Sequence, residues 1–371
     1  MDTMYHFCLL LKKRKIYHIS KKCIAHMGDT TDDTDDHTFE MLDSVPDVRV
    51  KVVGVGGAGN NTVTRLSREG ALPCVETIAL NTDKQHLLAS QADKRMVIGE
   101  KLTEGLGAGG DPDRGLFSAK EHRSDIKDMV RDTELVFVTA GLGGGTGSGA
   151  APYVAQCARD AGALVIAAVT LPFHMEGPRR RAIARKSIAE LERAAHTVVT
   201  IDNNTLLERA PNEPIGRAFS MVDDVLFSML RGVSGILTTP ALVNIDLADV
   251  KQVMHEGGHA VVGLGRAKDG KKGREAVRMA LDQTLSDGDY RSATGALLHI
   301  TGGPSLKLEE ALDACDTVHT LISPSINSIW GACIDERFDD YLQVMAIVTG
   351  LPSPMVEHEA TDDDGLTHSG L

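Results

Sequence analysis

Thr139-Ala-Gly-Leu-Gly143-Gly144-Gly145-Thr146-Gly147-Ser148-Gly149 is the stretch on which the reading of this chain turns. It follows an apolar run, Leu135–Thr139, and leads into a helix-forming segment, Ala150–Ala161. Six glycines lie within the nine residues 141–149. A flexible linker would share that composition, yet linkers rarely separate a buried strand from a helix. Glycines at such a junction let backbone N–H groups close around an anion, and the start of the next helix favours negative charge. No Lys-Ser/Thr pair follows, so the loop is not of the Walker type.

A second glycine loop lies upstream. Gly54-Val-Gly56-Gly57-Ala58-Gly59 follows the run Val48–Val55 and opens a helix. It fits the GxGxxG pattern of dinucleotide folds, with Glu76 spaced for a ribose contact. Alone it is weak support for an NAD-dependent oxidoreductase, and that reading leaves Gly143–Gly149 without a role.

Apolar runs at Thr77–Leu80, Leu164–Thr170 and Thr197–Ile201 alternate with amphipathic stretches such as Arg179–Ala195. This alternation predicts an α/β fold: parallel strands, right-handed crossovers, and ligands at the strands' carboxyl ends. A long helix is expected over 215–236. Beyond it, runs at Ala260–Gly265, Gly295–Thr301 and Tyr341–Thr349 mix with helices at Lys271–Ser286 and Leu308–Cys315, an α+β pattern. The expected organisation is a disordered arm over 1–47, a nucleotide-binding domain over 48–214, the central helix over 215–236, an α+β domain over 237–351 and a disordered tail over 352–371. The run Asp29-Thr-Thr-Asp-Asp-Thr-Asp-Asp36 is too polar to bury a core. Composition changes abruptly at Met27, which marks it as a second candidate start of translation; the intact mass of natively expressed protein decides between the two.

The 371 residues are 42% hydrophobic and 25% charged, as in ordinary globular chains. A net charge of -13 opposes binding to phosphate backbones, and 4% aromatic content leaves few surfaces for stacking bases, so no nucleic acid partner is expected. No apolar run nears the ~20 residues of a membrane-spanning helix. The basic residues Lys12 to Lys15 follow the apolar stretch Phe7–Leu11, the reverse of a secretory leader. The six cysteines show neither CxxC nor zinc spacing and read as reduced thiols. A cytoplasmic protein without direct membrane insertion is expected.

The signature Gly143–Gly149 resembles that of the tubulin superfamily, and most of all its cell-division branch, FtsZ, in an archaeal-type form. The resemblance runs from about Val50 to Leu351 through separated motifs in order: Gly56–Asn61, Asn81-Thr82-Asp83, Gly107-Ala-Gly-Gly-Asp-Pro112, the signature, Pro172-Phe-His-Met-Glu-Gly177 and Asn244-Ile-Asp-Leu-Ala-Asp249. Ile300-Thr-Gly-Gly-Pro304 and Ile329-Trp-Gly-Ala332 extend it. It implies a Rossmann-like GTPase domain, a long central helix and a second α+β domain.

It also implies GTP/GDP and Mg²⁺ as ligands. Gly56, Gly57, Ala58, Gly59, Asn60 and Asn61, with Gly144, Gly145, Thr146 and Gly147, would cradle the inner phosphates. Gly107, Ala108, Gly109, Gly110 and the loop holding Asn81 and Asp83 would face the γ-phosphate, with Asp111 towards the metal. Glu176 and Arg180 would hold the ribose and a phosphate, although a plain i,i+4 surface ion pair is the ordinary reading of that spacing. Asp223 would accept both guanine N–H donors, Phe219 would stack on the base, and Asn61 and Asn203 would assist. The alternative for Phe219 is a plain core residue; Asp224 reads as a solvated neighbour, although on sequence the two aspartates could exchange roles.

Asn244, Asp246 and Asp249 carry the catalytic expectation. On spacing alone the two carboxylates are an N-cap and a first-turn acid. In the resembled family this loop enters the nucleotide site of the next subunit and polarises the attacking water. The implied partners are further copies in a head-to-tail homopolymer, and membrane-tethering or regulatory division proteins. The tail has no clear match to the adaptor-binding peptide of bacterial relatives, and Pro178 replaces a usual basic residue. His255-Glu-Gly-Gly-His259 matches HExxH, but paired glycines would cost a helix about 2 kcal/mol, and the strand-like Ala260-Val-Val-Gly follows at once, so a zinc site is rejected.

Overall fold

Glycines punctuate the ends of β-branched runs in this chain, and the computed structural model converts that punctuation into a sheet with the glycine loops that follow Val55 and Gly141 on one edge. It describes residues 48–68, 75–204, 224–234, 247–255, 258–282, 290–338 and 340–353, all within one unit, Pro46–Leu371. The strands are β1 Val50–Val55, β2 Val75–Asn81, β3 Lys94–Val97, β4 Leu135–Gly141, β5 Leu164–Leu171, β6 Thr197–Asp202, β7 Gly258–Ala267, β8 Gly295–Gly302, β9 Asn327–Ile334 and β10 Leu342–Leu351. The helices are α1 Gly56–Arg68, α2 Lys84–Ala89, α3 Glu100–Thr103, α4 Pro112–Glu121, α5 Arg123–Val130, α6 Thr146–Asp160, α7 Pro178–Ala194, α8 over 224–234, α9 Leu247–His255, α10 Lys272–Asp282 and α11 Leu308–Leu321.

One ten-stranded sheet runs β3-β2-β1-β4-β5-β6-β7-β10-β8-β9. Strands β3 to β7 in that order are parallel, β10 is antiparallel to both β7 and β8, and β9 is parallel to β8. Chain order reverses between β1 and β4, so the crevice above their carboxyl ends is the topological switch point where ligands of doubly wound sheets lie.

Alternation along each strand feeds opposite faces. Val53, Val55, Val136, Val138, Val165 and Val169 pack under α4 to α7. Val50, Val52, Leu135, Phe137, Ile166 and Ile201 face α1, α8 and α9, whose Leu66, Met229 and Val253 are buried with them. A third cluster joins β7 to β10 with α10 and α11. Each fully buried aliphatic or Phe side chain contributes about 1.5–3 kcal/mol. Gly54 and Gly59 bring α1 close to the sheet: a Cβ on Gly59 would overlap the Thr139 carbonyl oxygen.

Several expectations change. Strands β3 and β9 carry no expected run; both are edge strands with exposed or half-exposed positions. Helix α6 starts at Thr146, inside the glycine stretch, rather than at Ala150. Helix α11 continues to Leu321 rather than stopping at Cys315, because Thr317 and Val318 remain buried on its inner face. The arm, the tail and most of the expected helix over 215–236 lie outside the described residues; 224–234 is helical.

Candidate functional site

The two glycine loops meet at the switch point. Gly56 has φ +74°, and a Cβ there would stand 3.0 Å from Gly147 N, so the first turns of α1 and α6 converge with only backbone between them. Both helix starts thus direct unfilled N–H groups and positive dipole ends at one place. Gly57, Ala58 and Asn61 are exposed there, whereas nothing lies within 4 Å of a Cβ on Gly144. The loop is shaped by Ser148, whose Oγ accepts from Gly143 N at 2.9 Å, and by Thr170, whose carbonyl accepts from Leu142 N at 2.9 Å. Ser187 Oγ donates to Ser148 O at 2.8 Å and anchors α7 beneath.

Asn60 is fully buried. With its amide oriented by the surrounding network, Nδ2 donates to Gly54 O at 2.9 Å and Oδ1 accepts from Asn81 Nδ2 at 3.0 Å. Asn81 Oδ1 in turn accepts from Asp83 N at 3.2 Å, and Asp83 Oδ1 caps α2 by accepting from His86 N at 2.9 Å. Asn60 and Asn81 therefore act through the backbone they hold in place. His86, half-buried, has Nε2 3.8 Å from a Cβ on Gly57; the sequence reading did not single it out.

The Gly107–Asp111 loop leans on this assembly. Gly107, Gly109 and Gly110 all have positive φ. A Cβ on Gly145 would stand 2.8 Å from both Ala108 Cβ and Asp111 N. Asp111 caps α4 with Oδ1 accepting from Asp113 N at 2.9 Å. Among the described residues no three His, Cys, Asp or Glu side chains gather for a metal. A lone carboxylate beside a phosphate cradle suits Mg²⁺, which keeps several waters and takes its other ligands from phosphates.

On the far side of the cradle, Gly143 lies against α7, with a Cβ 3.1 Å from Arg180 O. Arg180 and Glu176 form the i,i+4 ion pair, and Glu176 Oε1 accepts from Phe173 N at 2.9 Å. Asn203, at the carboxyl end of β6, is 9% exposed, and its Oδ1 is buried without a hydrogen-bond partner among the described residues. An orphaned buried acceptor at this edge is what a nucleoside donor would satisfy. From Asn203 on β6 to Asn81 on β2 the candidates span four strand spacings, about 19 Å, the scale of an extended nucleoside triphosphate.

Glu76 excludes the dinucleotide reading. It is the second residue of β2, five positions before its carboxyl end, and is paired with Lys94 at 2.6 Å and Lys51 at 3.6 Å on the opposite edge. No ribose held by the glycine loops reaches it.

Residues 49–211 match the family model described as Tubulin/FtsZ family, GTPase domain, and 258–352 match that of the FtsZ family, C-terminal domain. The chain is 45% identical over 325 residues to "Cell division protein FtsZ 1" of Archaeoglobus fulgidus, covering 88% of each. This chain belongs to the FtsZ family. It is a GTPase with a guanine-nucleotide site. "Cell division protein FtsZ 2" of Methanocaldococcus jannaschii is 45% identical over 324 residues, 86% of this chain and 85% of that one. The empty FtsZ dimer of M. jannaschii superposes with a TM-score of 0.77 at 46% identity, covering 82% of this chain and 88% of that one. CetZ2 from Haloferax volcanii, a GTPγS-bound protofilament, shares the fold at a TM-score of 0.74 with 24% identity, covering 84% and 96% of the two chains.

Within this FtsZ fold Asp249 stands apart from the cradle. It lies half-buried in the first turn of α9. The other end of α9 is tied to the edge of the sheet where β6 begins and the antiparallel β10 ends: Thr197 Oγ1 donates to Met254 O at 2.7 Å and Thr349 Oγ1 to Val253 O at 3.2 Å. Lys251, two residues from Asp249, lines a cavity of about 440 Å³ with Glu134 at the start of β4 and Asp160 at the end of α6. The 15 residues of α6 separate that cavity from the glycine stretch, about 22 Å. Asp246 and Asn244 of the same loop, and Asp223 and Phe219 before α8, lie outside the described residues. Asp224, more than half exposed, is paired with Arg65 of α1, one turn from Asn61.

The HExxH rejection agrees with the geometry: α9 ends at His255 and β7 begins at Gly258. His259 is 4% exposed, and burial pushes its imidazole down to about 4. Among the described residues the cysteines Cys157, Cys315 and Cys333 are free thiols, and no helix is long and apolar enough to cross a membrane.

Proposed function

We propose that this GTPase assembles head to tail and hydrolyses GTP only where two copies meet. The observation that carries the reading is the placement of the glycine cradle and Asp249 on opposite edges of one sheet. A general base must come within about 3 Å of its water; the cavity lined by Lys251, two residues from Asp249, lies the length of α6, about 22 Å, from the glycine stretch of the same copy. A second copy stacked on the first, lower edge to upper edge, removes the gap. Such a contact is heterologous and propagates into an open filament.

At the junction the γ-phosphate faces the neighbour's α9. A water oxygen attacks the γ-phosphorus in line, and the bond from phosphorus to the β–γ bridging oxygen breaks. The water proton passes to the carboxylate of Asp249, assisted by Asp246, and then to solvent; Asn244 positions the phosphate. Asp111 would hold Mg²⁺, which neutralises phosphate charge when bound. Glu176, Arg180 and Asn203 hold the sugar side, and Asp223 with Phe219 selects guanine over adenine. The identity to FtsZ chains, 45%, against 24% for CetZ2, supports the division branch. The filament is therefore assigned to a cytoplasmic ring at the division site, tethered by adaptor proteins.

The test is GTPase rate against protein concentration, with light scattering recorded in parallel. Specific activity should rise steeply at the concentration where scattering appears. A flat specific activity through that threshold overturns the interfacial mechanism.

A further inference from the structure

A Cβ on Gly57, in the first turn of α1, would meet one atom outside its own helix within 4 Å: Nε2 of His86, at 3.8 Å. His86 comes from a separate element, α2, and both its backbone groups are tied down. Its N donates to Asp83 Oδ1 at 2.9 Å, and its carbonyl accepts from Ser90 Oγ at 2.9 Å. Asn81 sets the ring. Asn81 Oδ1 accepts from Asp83 N, which leaves Nδ2 as the donor end of that amide. One Nδ2 hydrogen goes to Asn60 Oδ1 at 3.0 Å and the other to His86 Nδ1 at 3.5 Å. A neutral imidazole that accepts at Nδ1 carries its proton at Nε2. The buried Asn60–Asn81 pair thus turns an N–H donor toward exposed Gly57.

We propose that His86 is a further phosphate-binding residue, its Nε2–H donating to a non-bridging oxygen of the nucleotide's second phosphate. Sheet order decides which phosphate. Helix α1 starts after β1 and α6 after β4, so the inner phosphates lie between those strands, while Asn203 marks the nucleoside side at β6. The phosphate chain therefore runs from the β6 side toward β2, and α2 follows β2. Of the two phosphates that GDP and GTP share, the second is the one on the side of His86. The neighbouring cation Lys84 is turned to Glu100 at 3.0 Å. This inference rests on the nucleotide site described above.

His86→Asn and His86→Gln test it. Asparagine keeps an acceptor for Asn81 and lacks the far donor; glutamine puts an amide N–H back near the Nε2 position. GDP and GTP affinities are measured by fluorescent-nucleotide titration below the assembly threshold, with thermal melts of the nucleotide-free protein and phosphorus NMR of bound GDP. His86→Asn should lose about tenfold in affinity for both nucleotides. It should also move the β-phosphate resonance and leave the α resonance and the melting temperature in place. His86→Gln should stay within about twofold of wild type. Unchanged affinity in His86→Asn, a loss confined to GTP, or a glutamine variant as weak as asparagine overturns the proposal. A merely structural role in holding α2 lowers the melting temperature and leaves the β resonance where it was, and overturns it equally. Should His86→Asn not fold, His86→Ala takes its place with the same criteria. Wild-type protein that binds neither nucleotide sinks the nucleotide site itself.

Discussion

Asp249→Ala removes a carboxylate from the edge opposite the glycine loops and leaves the pocket intact. Asp249 is half-buried on the first turn of α9, where an acid contributes about 0.3–1 kcal/mol through the helix dipole, and the fold should survive its loss. Loss of the proposed general base should lower turnover about 10²- to 10⁴-fold while GTP binding persists. Gly144→Val is the complementary lesion. A Cβ there meets nothing within 4 Å, so the fold should accept a side chain, which would fill the space where a phosphate would lie. Each variant alone should turn over GTP far more slowly than wild type. Mixed in equal amounts, they form junctions in which the intact pocket of one copy faces the intact Asp249 of another. In a random head-to-tail polymer these are about one quarter of all junctions, which sets the upper bound on recovered turnover relative to wild type. The assay is phosphate release across a mixing series at constant total protein, with co-sedimentation reporting mixed assembly. Activity that stays at the average of the separate variants, in samples that co-sediment, refutes catalysis in trans and moves the water-activating group into the pocket's own chain.

The glycines of the site should divide by what surrounds them. Gly149→Ala places a Cβ on the Pro112 carbonyl oxygen and should lower stability by about 1–3 kcal/mol in chemical denaturation, whereas Gly144→Ala should leave the midpoint unchanged; the reverse order would count against the packing described. His259 predicts a pH dependence. Its pKa is near 4 when folded and 6.5 in the reference state, so the unfolded chain binds the extra proton between those values and stability falls as pH drops from 6.5 to 4. The loss should be roughly 2–3 kcal/mol and should shrink in His259→Asn; equal slopes for the two proteins would assign the acid sensitivity elsewhere.

Much of this protein was determined by its sequence at short range. Leu135–Thr139 and Val48–Val55 are apolar runs ended by glycine, and a buried parallel strand opening into a phosphate loop needs little else, because both signals act within a few residues. The same locality explains why α9 could be ended at His255: two glycines and an adjoining strand leave a helix no room. Strand β3, which begins with exposed Lys94 and Arg95, has no such signal; it exists because the edge of β2 offers it hydrogen bonds. Helix α6 begins inside its glycines because Gly147 and Gly149 allow the backbones of Gly141 and Pro112 to pass, contacts invisible to a local pattern. Glu76 looked spaced for a ribose until the register of β2 set it at the wrong edge. The placement of His86 beside Gly57 joins separate loops, and neither residue marks it. Above all, only the tertiary structure separates Asp249 from the glycine loops. That distance is the length of α6 and of the strands beside it, fixed by sheet order rather than by any residue along the way.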